Sequence, residues 1–137
     1  MRNLIIILTF ITLFVSCAYE KGGITDEMKN GLISFEQQTV GYSETKNNAD
    51  GKIIKNRNNG ILTLTYITEE TGCPHFEGGY KIADKTLTLY YQDVNFQLVK
   101  CIDLFELEYK IEDKNLDYEK IKVERLKPIK KGLSFRE

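Results

Sequence analysis

From position 61 onward apolar residues recur at every second place, the period of a strand, and not at every third or fourth as a helix would require. In Ile61-Leu62-Thr63-Leu64-Thr65-Tyr66-Ile67, the residues Leu62, Leu64 and Tyr66 share one face while Thr63 and Thr65 take the other. Phe76, Tyr80 and Ile82 begin a second strand, which Ala83-Asp84-Lys85 turns into a third carrying Leu87, Leu89 and Tyr91 on one side. Phe96, Leu98 and Lys100 alternate with Gln97 and Val99 and predict a short fourth strand. The plainest case is Phe105-Glu106-Leu107-Glu108-Tyr109-Lys110-Ile111, apolar inward and charged outward, a strand with one face in water. After the turn Glu112-Asp113-Lys114-Asn115, Ile121 and Val123 alternate with Lys120, Lys122 and Glu124 in a last strand.

Upstream the pattern is weaker. In residues 26–42, Met28, Leu32 and Phe35 suit a short helix, while 34–40 equally suit a strand. Residues 41–60 are polar, with Asn48-Ala49-Asp50-Gly51 and Asn58-Asn59-Gly60 as turn signals, and Ile53 and Ile54 between them predict an edge strand. Asp50 lacks a second spaced carboxylate and a closing Glu, so a surface loop is expected there and not a calcium site. Pro128 with Lys127, Lys130 and Lys131 marks an edge-lying C-terminus whose cations are read as solvating charge. Six or seven short strands about ten residues apart predict an all-β domain, a small antiparallel β-sandwich of immunoglobulin-like or transthyretin-like architecture over residues 28–137. A small barrel is the alternative.

The N-terminus follows another pattern. Eleven of the first sixteen residues are apolar, behind the cationic start Met1-Arg2-Asn3. Residues 1–16 therefore read as a secretory signal peptide, too short for the roughly 20 residues of a membrane-spanning helix. The run ends in Phe14-Val15-Ser16-Cys17, which resembles the lipobox of bacterial lipoproteins, with Phe14 where Leu is usual. The resemblance implies that Cys17 becomes the first mature residue and carries acyl chains on sulfur and amine, an attachment that two or three chains make stable where one is marginal. Ordinary cleavage near Ala18 is the alternative. Residues 17–27, polar and glycine-containing, read as a tether. Ala18 stands where some Gram-negative lipoproteins carry an inner-membrane retention Asp, so the resemblance favours the outer membrane, facing the periplasm or the exterior.

With Cys17 lipidated, Cys73 and Cys101 remain as an even pair in an oxidising compartment, and a disulfide is expected. It would stabilise the fold by roughly 3 to 4 kcal/mol on the chain-entropy model. A metal site from Cys73, His75 and Cys101 is the competing reading, but no second close Cys or His pair supports it. The segments T-G-C-P-H-F, T-L-T-L-Y-Y and C-I-D-L-F-E-L-E-Y-K-I, spanning residues 71–111, resemble small lipoproteins of Bacteroidota. There a Cys-bearing loop, a strand, and a Cys leading into an alternating F-x-L-x-Y-x-I strand recur behind a lipobox. Relatives often carry C-x-C at the second position, whereas this chain has Cys101 followed by Asp103. The resemblance carries no activity with it.

Composition narrows the functional classes. The chain has 137 residues, with 19 Lys and Arg against 20 Asp and Glu, so there is no positive field for nucleic acid. It contains one His, no glycine-rich phosphate loop, no G-x-S-x-G and no H-E-x-x-H. Glu106 and Glu108 fall on one strand face about 7 Å apart, but a solvated sheet face gives such a pair no pocket. No cofactor or metal and no enzymatic activity are expected. Two readings follow. The first is a lipid-anchored binding module for an envelope protein or glycan, held to the membrane by its acyl chains, with Tyr66, Tyr80 and Tyr90 as stacking surface. Strand tyrosines also fill cores, which is the competing role for each of them. The second is a periplasmic immunity or inhibitor lipoprotein that blocks a toxin or hydrolase through residues 41–60.

Overall fold

A computed structural model describes residues 22–41, 51–96 and 102–129. One helix, α1 (Asp26–Lys29), precedes seven strands: β1 (Leu32–Gly41), β2 (Ile53–Asn58), β3 (Ile61–Thr71), β4 (Phe76–Ala83), β5 (Thr86–Asp93), β6 (Ile102–Glu112) and β7 (Lys120–Arg125). They form a sheet of order β1-β6-β3-β2 and another of order β4-β5-β7, the two layers of a small β-sandwich. The leader, residues 42–50 and Cys101 lie outside the described residues, as does the expected strand after Asp93 except for Phe96, which is in no strand.

Residues 26–42 hold both a helix and a strand. Thr25 caps α1, its hydroxyl accepting from Met28 N at 3.4 Å, and Gly31 at φ 78° ends it two residues past Lys29. Leu32 and Phe35, which continue the helical spacing from Met28, lie instead on β1. Residues 22–27, read as tether, include the start of α1, and the segment lies against β4, where a Cβ on Gly79 would meet Met28 Cβ at 2.8 Å and Ile24 Cγ2 at 3.2 Å. On the inner side of the same strand a Cβ on Gly78 would fall 2.1 Å from the Phe35 ring. The two glycines let β4 be approached closely from both faces.

Alternation places the core where the pattern predicts it. Leu62 and Leu64 of β3 and Leu107, Tyr109 and Ile111 of β6 are fully buried against Leu87 and Leu89 of β5. Each such leucine contributes about 1.5–3 kcal/mol by leaving water. Phe76 meets Phe105 and Tyr91 edge to face, with centroids 5.6 and 5.4 Å apart, a favoured geometry for aromatic quadrupoles. The Tyr109 hydroxyl crosses the sandwich to donate to Tyr90 O at 3.0 Å, and burial pushes its pKa above the ordinary phenol value of 10.0.

One pairing departs from the expected all-antiparallel arrangement: β7 runs parallel to β5, Thr86 opposite Lys120 through Tyr91 opposite Arg125. Parallel neighbours need a crossover, and β6 in the opposite sheet supplies it. Alternation fixes which face of a strand is apolar but says nothing about which neighbour it pairs with.

Candidate functional site

The two ends of the sandwich are built differently. At one end lie the β2–β3 and β4–β5 turns, Gly31 and the link 113–119. At the other lie the last residues of β1, β3, β5 and β7 and the first residues of β4 and β6. The four buried polar residues identified among the described residues, Thr68, Glu70, Gln92 and Asp93, all belong to this second, open end. Three of them, Thr68, Glu70 and Asp93, continue an alternation already visible in the sequence, Asp93 following Leu87, Leu89 and Tyr91. Thr68 and Glu70 extend the inward series Leu62, Leu64 and Tyr66, which is the signal that could have found them.

Glu70 ties the sheets together. Its Oε2 lies 2.7 Å from Arg125 Nη2 on β7, and its Oε1 accepts from the Tyr91 hydroxyl of β5 at 3.0 Å. Desolvation first, and then the Glu70 charge, pushes the Tyr91 hydroxyl well above the ordinary phenol value, so it stays a donor. Gln92, 1% exposed, holds both ends of the described chain. Its Oε1 accepts from Ile24 N at 3.2 Å, while Nε2 donates to Gly22 O at 2.9 Å and to Lys127 O at 2.7 Å. Gln37 performs the same task between the sheets, accepting from Phe76 N at 2.6 Å and donating to Pro74 O at 3.1 Å. Asp93 Oδ1 accepts from Asn95 N at 2.9 Å and His75 N at 3.3 Å. These side chains bind backbone, which fixes the open-end connections in place.

A cleft of 420 Å³ runs between the edge strands β1 and β4. Phe35 and Phe76 contribute to its walls beside exposed His75, and the Lys29–Glu77 ion pair at 2.9 Å sits at its edge. On the outer face of the larger sheet Glu36 stands opposite Glu108 and Gln38 opposite Glu106. Lys110 relieves the first pair of carboxylates, 2.8 Å from Glu108 and 3.7 Å from Glu36, and its hydrogen bond to Glu108 raises its pKa. Glu106 and Glu108 share this outer groove, as the strand spacing predicts.

The structure does not gather Tyr66, Tyr80 and Tyr90 into one surface. Tyr66 packs on the core, with its ring centroid 6.0 Å from that of Tyr91. Tyr80 packs on the core from the other sheet and reaches Gly31, and burial raises its pKa. Tyr90 alternates with buried Leu89 and Tyr91 and so faces the outer side of β5. Cys73 is exposed in the β3–β4 connection, whereas the other members of the expected sites, Cys17 and Cys101, lie outside the described residues. His75 lies two residues from Cys73 on that connection, and its backbone, not its ring, is what Asp93 engages. No family model matches the chain, and no curated protein or solved structure matches it significantly.

Proposed function

We propose that this chain is a lipid-anchored, non-enzymatic lipoprotein of the cell envelope whose sandwich is a binding or interaction module for a glycan or protein partner. The observation that carries the reading is Phe14-Val15-Ser16-Cys17 at the end of a short apolar leader. Two structural features support it. The domain begins within a few residues of Cys17, with Gly22 already held by Gln92. Gln37, Gln92 and Asp93 spend their side chains at the open end on holding backbone, which makes that end a fixed scaffold. Ala18 favours the outer membrane.

The Cys73–Cys101 disulfide belongs to the same proposal. Thr71 is the last β3 residue paired to β6, opposite Ile102, so the two cysteines follow and precede neighbouring positions of one ladder. Mass spectrometry of the native protein tests both parts. Loss of residues 1–16, an acyl mass on Cys17 and resistance of the other two cysteines to alkylation are expected; an unacylated terminus or two alkylatable thiols rejects the corresponding part. Binding of the acylated protein to a polysaccharide panel supports the glycan partner. Inhibition of a co-encoded toxin or hydrolase instead selects the immunity reading.

A further inference from the structure

The geometry points to the open end of the sandwich as a surface that rests on lipid, with Val40, Ile102 and Ile129 entering the headgroup region. This orientation rests on the lipid-anchor reading above and adds to it which face meets the membrane. Four residues lie between Cys17 and Gly22, five Cα steps with a reach of at most ~18 Å. Gln92 fixes Gly22 and Ile24 to the end of β5, so the anchor pulls on this end and no other. The opposite end lies farther by the length of the eleven-residue β6, about 37 Å. A chain so short holds the open end near the bilayer, and the chemistry of the surface then decides which face meets it.

Surface chemistry selects the same end. Of the five large apolar side chains exposed among the described residues, Val40 at 46%, Ile102 at 43% and Ile129 at 46% occupy it. They come from both sheets: Val40 and Ile102 lie at the rim of the larger, and Ile129 is held to the smaller by its N–H donating to Asp93 O at 2.9 Å. Glu69 and Asp103 at this end outnumber Lys127, and Arg125 is paired with Glu70, so apolar insertion and not attraction to anionic lipid drives the contact.

The chain contains no Trp, so single tryptophans report position without background. Full-length acylated Ile102→Trp, Ile129→Trp and Lys114→Trp would each be placed in vesicles of phosphatidylethanolamine and phosphatidylglycerol containing brominated acyl chains. Lys114 lies in the link at the turn end. Quenching at 102 and 129 at least about threefold stronger than at 114 is expected, and unchanged when phosphatidylglycerol is omitted. Equal or stronger quenching at 114, or none at any site on protein that carries its acyl mass, overturns the orientation while leaving the anchor standing. Protein that lacks the acyl mass and does not float with the vesicles overturns both.

Discussion

One end of this sandwich is marked by two tight turns, each made of residues adjacent in sequence, and the other by buried side chains that reach far along the chain. Asn59-Gly60 joins β2 to β3 with φ of 50° and 73°, and Asp84-Lys85 joins β4 to β5 with φ of 47° and 59°. Positive φ at both central residues is the twist a two-residue hairpin needs. The link 113–119 then bridges the two turns, Asp113 N donating to Gly60 O at 2.8 Å and Glu119 N to Lys85 O at 2.7 Å. At the other end no two-residue hairpin turn lies among the described residues, and side chains join backbone bonds such as Val94 N to His75 O in holding the connections. There Gln92 reaches across 68 and 70 residues to the N-terminal segment and 35 to the C-terminal one, and Glu70 reaches 21 to Tyr91. Backbone preference orders one end; buried side-chain polarity orders the other.

Breaking the Glu70 cluster should give the largest effect. Glu70→Ala leaves the Tyr91 hydroxyl and Arg125 without their buried acceptor, and loss of one member of a buried pair costs about 3–5 kcal/mol. Arg125 is partly solvated, which places the expectation at the lower end of that range. Replacing both charges, with Glu70→Leu and Arg125→Leu together, should recover the part of the loss that comes from the stranded Arg125 charge, while the Tyr91 hydroxyl stays without its acceptor. Urea unfolding of the two variants measures it, and a double variant no better than Glu70→Ala would show that Glu70 matters through something other than the pair.

Gln92→Ala sharpens the comparison at the same end. It removes the partners of one backbone N–H and two carbonyls, of which water can reach some, so a loss of about 2–3 kcal/mol is expected. The effect should be local as well as global. Amide exchange at Ile24 should accelerate far more than at Leu107 in the core, whereas uniform acceleration would mean that Gln92 supports the sheet and does not clamp the chain ends.

The same division explains what the sequence reveals. Phe105 to Ile111 alternate so regularly that their burial follows from the pattern, and Asn59-Gly60 is legible as a turn from its two residues. The inward places of Tyr66 and Tyr80 were legible too, since they share parity with Leu62 and Leu64 and with Phe76 and Ile82 respectively. Gln92 is another matter. It alternates outward from Tyr91, and it is buried because segments from opposite ends of the chain lie over it, a fact of tertiary arrangement with no local trace. The parallel placing of β7 is hidden for the same reason, because period two does not encode a neighbour.

The smallest expected effect has the opposite sign. Lys85 holds φ of 59° in a turn position where its hairpin counterpart is Gly60, and an L side chain there carries a steric cost that glycine avoids. Lys85→Gly relieves that cost, about 1 kcal/mol, but loosens the unfolded chain and removes the exposed Lys85–Asp117 ion pair, worth roughly 0–1 kcal/mol. Asp117→Asn removes the same pair without touching the backbone, so it serves as the reference background. In that background Lys85→Gly should raise the urea midpoint by the equivalent of a few tenths of a kcal/mol. A fall in the midpoint there would mean that Lys85 stabilises its turn by more than the ion pair, and that local backbone preference does not govern this end as it governs the Asn59-Gly60 turn.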